Sequence, residues 1–166
     1  MTNKNRAMLI GSIGAGKSTL TNALLEKEVK VVKTQTLIYY DWIVDTPGEY
    51  TENPLFYKNI MATSLEVSHI LYLQDATKKN TVFPHGFSLG LNKLPIGIVT
   101  KSDHERADIL AAVAQLRKVI PKGPIVVASS VKKEGLVEIR EFVKCNSLEE
   151  MKHYFNNHPS EKVFFK

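Results

Sequence analysis

The residues best suited to chemistry lie near the start of the chain. In LIGSIGAGKSTL, residues 9–20, Gly11, Gly16, Lys17 and Ser18 fill the pattern GxxxxGKS, between an apolar run, Ala7 to Ile10, and a helical pattern that begins near Lys17. A strand, a glycine-rich turn and a helix in that order are the setting in which this pattern binds phosphate. Glycines at 11, 14 and 16 let the backbone take left-handed angles and bring its amides against phosphate oxygens. The helix N-terminus then faces the anion. Lys17 would reach the terminal phosphates as a point charge. The Ser18 hydroxyl would ligate Mg²⁺, which takes few protein ligands and keeps several waters. The competing reading is a glycine-rich turn that binds nothing; the lysine, the hydroxyl and the strand-to-helix setting together weigh against it.

Two further clusters gain meaning from that loop. Asp45, Thr46, Pro47, Gly48 and Glu49 follow a β-rich stretch. An aspartate at the carboxyl end of a strand can hold Mg²⁺, and the Gly48 amide can meet a γ-phosphate, so that loss of the phosphate releases the loop. Read alone, DTPG is an ordinary turn. Thr100, Lys101, Ser102 and Asp103 close another apolar strand. The Asp103 carboxylate can accept from the N1 and N2 donors of guanine, a pair that adenine lacks, and the Lys101 stem would pack along the base. Alternatively, Asp103 caps the helix that follows. The backbone amides of Ser129 and Ser130, after a last strand, could read the guanine O6.

These groups need a scaffold, and the periodicity supplies one. Strands are predicted over Arg6 to Ile10, within Thr34 to Tyr40, over Trp42 to Val44 after a turn at Asp41, and over His69 to Leu73, Pro95 to Val99 and Ile125 to Ala128. Helices are predicted over Lys17 to Lys27, Asn53 to Ser68, Glu105 to Val119, from Leu136, and from Ser147. Asp75 reads as a loop-anchoring residue, His85 as a surface histidine, and residues 77–94 as a variable face. The tail from Asn156 is polar and ends in VFFK, with no assigned role. Alternation of strands and helices predicts an α/β fold, a mixed, mostly parallel sheet of about six strands flanked by helices, with the ligand at its carboxyl edge.

The chain has 166 residues, a length that suits one domain, residues 1–166. Its 43% hydrophobic and 23% charged residues are those of a globular protein. No apolar run reaches the ~18 residues of a membrane span, and no signal peptide is evident, which points to the cytoplasm. The net charge of +5 is carried mostly by scattered lysines; the arginines are Arg6, Arg106, Arg117 and Arg140. That pattern reads as a solvated surface, and no nucleic-acid partner is expected. Cys145 stands alone and forms no internal disulfide; it reads as a residue of a late helix.

The pieces GSIGAGKST, DTPGE, TKSD and ASS followed by GL, in this order, resemble the small GTPases of the P-loop class over nearly the whole chain, implying a three-layer P-loop NTPase fold. KTQTLIYYDWIVDTPGEYTEN, DATKKNTVFPHGF and PIGIVTKSD look more narrowly like the ethanolamine and propanediol utilisation (EutP/PduV-like) family, associated with bacterial microcompartments. The resemblance implies that Gly11, Ser12, Ile13, Gly14, Ala15, Gly16, Lys17, Ser18 and Thr19 bind phosphates, and that Thr34 or Thr36 is the switch threonine, with Thr34 joining Ser18 and Asp45 at the metal. It implies that Thr100, Lys101 and Asp103 recognise guanine. Thr100 stands where such GTPases usually carry asparagine, Glu49 where Ras-like proteins carry a water-orienting glutamine, and Gly14 where potassium-dependent GTPases carry asparagine. No arginine lies between Lys17 and Glu49 to act as a finger in cis.

These readings predict a guanine-nucleotide-binding protein with slow Mg²⁺-dependent GTP hydrolysis, Lys17 and Glu49 being catalytic. It would serve ethanolamine or propanediol utilisation by contact with a microcompartment shell or pathway protein. The alternatives are a small-molecule (acetate or carboxylate) kinase using ATP, which lacks the expected arginine-rich lid, and a nucleotide-dependent targeting module.

Overall fold

The protein is described here by a computed structural model over residues 5–26 and 36–166. Strand β1, Ala7–Ile10, is four apolar residues, all fully buried. A strand apolar on both faces belongs in the middle of a parallel sheet. It pairs in parallel with β3, Ile43–Asp45, on one side and β4, His69–Asp75, on the other. Beyond β4 follow β5, Leu94–Thr100, and β6, Pro124–Val127, both parallel. Each edge is closed by a short antiparallel strand, β2, Ile38–Tyr39, against β3 and β7, Val163–Phe165, against β6. The sheet order is β2-β3-β1-β4-β5-β6-β7.

The expected α/β architecture is therefore present, with seven strands rather than six. The additional strand is the tail, VFFK. Its alternation is too short to read, but Arg117 donates from Nη2 to the Phe164 carbonyl at 3.3 Å, and Phe165 lies 5.7 Å from Phe155 and 6.2 Å from Phe142, ring to ring. The tail covers the β6 edge that would otherwise present unpaired backbone groups.

Helices cover both faces. On one face α1, Lys17–Leu24, α5, Leu136–Lys144, and α6, Leu148–Asn157, bury Leu20, Ile139, Phe142 and Met151 against Leu9, Leu71, Leu73 and Ile98. On the other, α3, Tyr57–Ser64, and α4, Ile109–Val119, bury Ile60, Ala112, Leu116 and Val119 against Met8, Ile10, Tyr72 and Val99. The period-two alternation of each strand divides its side chains between the two layers. Gly97 lets α4 approach, since a Cβ there would meet Ile125, Ile120 and Leu116 at 3.0–3.3 Å.

Helix boundaries are where capping overrides periodicity. The stretch expected as one helix over residues 53–68 is broken by Pro54 into a 3-10 turn, Pro54–Phe56, held by the Asn53 side chain, and α3. Helix α4 begins at Ile109 rather than near Glu105, because Asp108 accepts from the Ala111 amide and caps it. Cys145 lies just past the end of α5 as its C-cap, not within the helix. Residues 77–94 dock on the end of α4, where the Gly86 amide donates to the Lys118 carbonyl at 2.7 Å and Ser88 Oγ to the Val119 carbonyl at 2.7 Å. His85 is exposed, as expected.

Candidate functional site

The parallel strands end at one edge, and the loops leaving β1, β3, β5 and β6 meet there. After β1 the backbone turns through Gly14, φ 82°, and Gly16, φ 97°, angles that disfavour any side chain. Gly11 is required for another reason: a Cβ there would press on β4 at Leu73, 3.1–3.2 Å away. The loop closes by a bond from the Ala15 amide to the Ser12 carbonyl, and α1 starts at Lys17. Ser12 is half-buried, while Ile13 and Thr19 are exposed.

Lys17 arches back over this loop. Its Nζ donates to the carbonyls of Gly11, 3.0 Å, and Ser12, 2.9 Å, with only 6% of the residue exposed. Burial pushes its pKa down, while the negative charges of Asp45 and Glu52 push it up. A cation held over a ring of amides by two neutral carbonyls is well placed to exchange them for phosphate oxygens.

After β3, Asp45 is fully buried and accepts at Oδ2 from Ser18 Oγ, 2.7 Å. Thr46 Oγ1 donates to the Leu9 carbonyl at 2.6 Å, tying the turn to β1. Gly48 rests against the phosphate loop: a Cβ on it would lie 2.6–2.7 Å from Ile13. Ser18 and Asp45 supply a hydroxyl and a carboxylate, both hard oxygen donors, at the mouth of the loop. No group of three acidic, histidine or cysteine side chains among the described residues could hold a metal unaided. That donor set fits Mg²⁺, which is commonly completed by substrate phosphates and water. Thr34 lies outside the described residues, and Thr36 is exposed. Glu49 opens the short helix α2, Glu49–Glu52, and is exposed.

The loop after β5 is tied to the phosphate loop by two adjacent side chains. Thr100 Oγ1 donates to the Ala15 carbonyl at 2.7 Å. Lys101, in a left-handed conformation at φ 60°, donates from Nζ to the Gly14 carbonyl at 2.7 Å and to Asp75 Oδ2 at 2.8 Å. Burial opposes ionisation of Asp75, but the bonds from Lys101 and Thr77 outweigh it and hold its carboxyl below the usual range. Asp75 thus anchors its own loop, as the sequence implies, through the Thr77 amide and hydroxyl at 2.8 and 2.6 Å. It also anchors Lys101, a residue 26 positions away that local text could not reveal.

Asp103 does not cap α4. Its Oδ1 accepts from Ser129 Oγ at 2.8 Å, and this bond holds its pKa down. Ser129 is itself fixed by paired backbone bonds to Glu134 and by the Lys132 amide on its Oγ. Asp103 is exposed and aligned by a buried partner, and Ser130 follows in the same turn, half-buried. The loops after β5 and β6 are brought together, as the sequence reading requires.

Comparison with known proteins fits this geometry. Residues 4–145 match the family model described as ethanolamine utilisation - propanediol utilisation. Over 108 residues, 64% of this chain and 68% of the relative, the sequence is 35% identical to the probable acetate kinase EutP of Escherichia coli strain K12. It is 36% identical over 98 residues, 59% of this chain and 65% of the relative, to the propanediol utilization protein PduV of Citrobacter freundii. The GTPase Era of Nitratidesulfovibrio vulgaris is 28% identical over 82% of this chain, which spans 53% of that longer protein. A solved structure of Era in complex with MgGDPNP and part of 16S ribosomal RNA superposes with a TM-score of 0.60 at 22% identity, covering 84% of this chain and 55% of that one, a likeness of fold. With the family model covering most of its length, the chain belongs to the ethanolamine utilisation - propanediol utilisation family and has the fold of a P-loop GTPase.

Proposed function

We propose that the protein binds guanine nucleotide with Mg²⁺, hydrolyses GTP slowly, and uses the turn from Asp45 to Glu49 to signal nucleotide state to a shell or pathway protein of ethanolamine or propanediol utilisation. The observation that carries this reading is the Asp103 carboxylate, exposed but aligned by Ser129, beside a Lys101 stem that spans to Gly14. Guanine offers that carboxylate two donors, and adenine offers none in the same place.

On nucleotide entry, Lys17 would give up the Gly11 and Ser12 carbonyls for the β- and γ-phosphates. The amides of residues 12–19 would surround the phosphates, and the amide of Gly48 would meet the γ-phosphate. Ser18 and Asp45 would hold Mg²⁺, with a switch threonine, Thr34 in the sequence reading. When bound, the metal would offset charge on the phosphates. A carboxylate of α2 would orient the attacking water. With no arginine of its own beside the loop, the protein would turn over slowly until a partner supplied one.

Titration of nucleotide-free protein with GTP, GDP and ATP in Mg²⁺, beside Asp103→Ala, tests the reading. The expected result is a guanine preference that disappears in the variant. Equal ATP binding that the substitution leaves untouched would remove it. A second reading, an acetate kinase, is favoured by the description of the EutP relatives. It predicts ADP and acetyl phosphate from ATP and acetate, detected by trapping the product with hydroxylamine.

A further inference from the structure

The helix that follows the Asp45–Gly48 turn carries two acids, and they do not face the same way. Gly48 is pressed on the phosphate loop, with the site of its missing Cβ 2.6–2.7 Å from the Ile13 backbone and side chain. The backbone then turns helically: the amides of Thr51 and Glu52 donate to the Gly48 carbonyl at 3.1 and 3.3 Å. Residues four apart share a helix face, and helical side chains lean toward the N-terminus. Glu52 therefore rises on the face that Gly48 presents to the phosphate loop and leans back over it. Glu49 is turned about 100° from Gly48. Thr51 fixes the roll of the helix, since it is 1% exposed and points inward, whereas both acids are exposed. Electrostatics agree with that placement. Glu52, with Asp45, is a negative charge that pushes the Lys17 pKa up against the effect of burial.

We propose that Glu52, rather than Glu49, is the carboxylate that orients the water attacking the γ-phosphate. The inference rests on the hydrolytic reading above. The water oxygen forms a bond to the γ-phosphorus while the bond to the bridging oxygen breaks, and the electron pair leaves with the nucleoside diphosphate. The water proton passes to the Glu52 carboxylate and from there to the released phosphate. Water plus nucleoside triphosphate thus give nucleoside diphosphate and inorganic phosphate, and Glu52 returns ionised.

Single-turnover GTP hydrolysis in Mg²⁺, together with direct binding of fluorescent GTP and GDP, separates the two acids. Glu52→Gln is expected to slow phosphate release by about tenfold or more, toward the range of a lost general base. Its dissociation constants should stay within about twofold of wild type, the signature of a contact made only in the transition state. Glu49→Gln should change the rate by less than about threefold. Both side chains are exposed, so melting temperatures should be unchanged. A wild-type rate in Glu52→Gln, the larger loss in Glu49→Gln, or weakened binding that accounts for the whole effect would overturn the assignment. Wild-type protein that binds guanine nucleotide yet releases no phosphate would overturn it while leaving guanine binding intact. Failure of the wild type to bind guanine nucleotide would instead show that the functional reading had failed, and the assignment with it.

Discussion

At the scale of single residues, Thr100 shows how a departure from a familiar pattern is explained by its contacts. Its hydroxyl is spent inside the protein, on the Ala15 carbonyl at 2.7 Å, and the residue is 5% exposed. Thr100 therefore shapes the phosphate loop, while Asp103 is exposed beside Ser129, as the proposed base contact requires. Replacing it by valine keeps the volume and leaves a carbonyl without its donor, which should cost about 1–3 kcal/mol of stability. Urea unfolding of Thr100→Val would measure that loss. Nucleotide titration should show GTP and ATP weakened alike, in contrast to Asp103→Ala, which should weaken guanine nucleotides alone. Undiminished stability would mean that the Ala15 carbonyl finds another donor. The candidate site was largely legible, because GSIGAGKST, DTPGE and TKSD each place their candidate groups in contiguous text. The ties between them were not. Thr100 to Ala15 spans 85 residues and Lys101 to Asp75 spans 26, and no local pattern encodes a pair at such separation.

At the scale of elements, helix ends decide how rigidly the phosphate loop is carried. Helix α1 is only eight residues, with no basic residue in its last turn. Its last carbonyls are met from outside: Arg140 of α5 donates from Nε to the Leu24 carbonyl at 3.1 Å and from Nη2 to the Ala23 carbonyl at 3.2 Å. A guanidinium there donates to carbonyls at the helix end, of which Ala23's also accepts from the Glu26 amide at 3.2 Å, and opposes the negative end of the helix dipole. Its contact with Glu26, at 3.8 Å to an exposed carboxylate, adds little. Arg140→Ala should lower the unfolding free energy by about 1–2 kcal/mol, with a fall in the urea midpoint and no change in slope. An unchanged midpoint would show that water replaces the cap without loss. The order and type of the main elements followed from hydrophobic period, since β1 and β6 are apolar throughout and β4 and β5 have apolar centres, Ile70 to Leu73 and Pro95 to Val99. Their ends did not: Pro54 and the Asp108 cap displaced two helix starts by several residues, and β7 has three residues, too few for a period to emerge.

At the scale of the whole molecule, the nucleotide edge is held from the opposite end of the sheet. There His69, at the start of β4, is fully buried, with Nδ1 2.7 Å from Ser68 Oγ and Nε2 2.9 Å from the Cys145 carbonyl between α5 and α6. It couples the central strands to the helical layer that also carries Arg140. Burial lowers its pKa, although the carbonyls of Cys145 and Phe142 favour the protonated ring. A histidine whose folded pKa is depressed binds fewer protons when folded than when unfolded. Its contribution is therefore complete above the unfolded value, near 6.5, and is lost as pH falls below it toward the folded pKa. The other four histidines, His85, His104, His153 and His158, are exposed, so His69 is the one held inside the fold. The protein should accordingly lose stability as pH falls below about 6.5, with a slope bounded by one proton, about 1.4 kcal/mol per pH unit. Thermal or urea unfolding across that window would show it. His69→Gln, which retains a donor for the Cys145 carbonyl and cannot titrate, should flatten the slope even where it lowers stability at neutral pH. A slope that survives the substitution would assign the proton to another group and remove His69 as the acid-sensitive tie between the sheet and its helices.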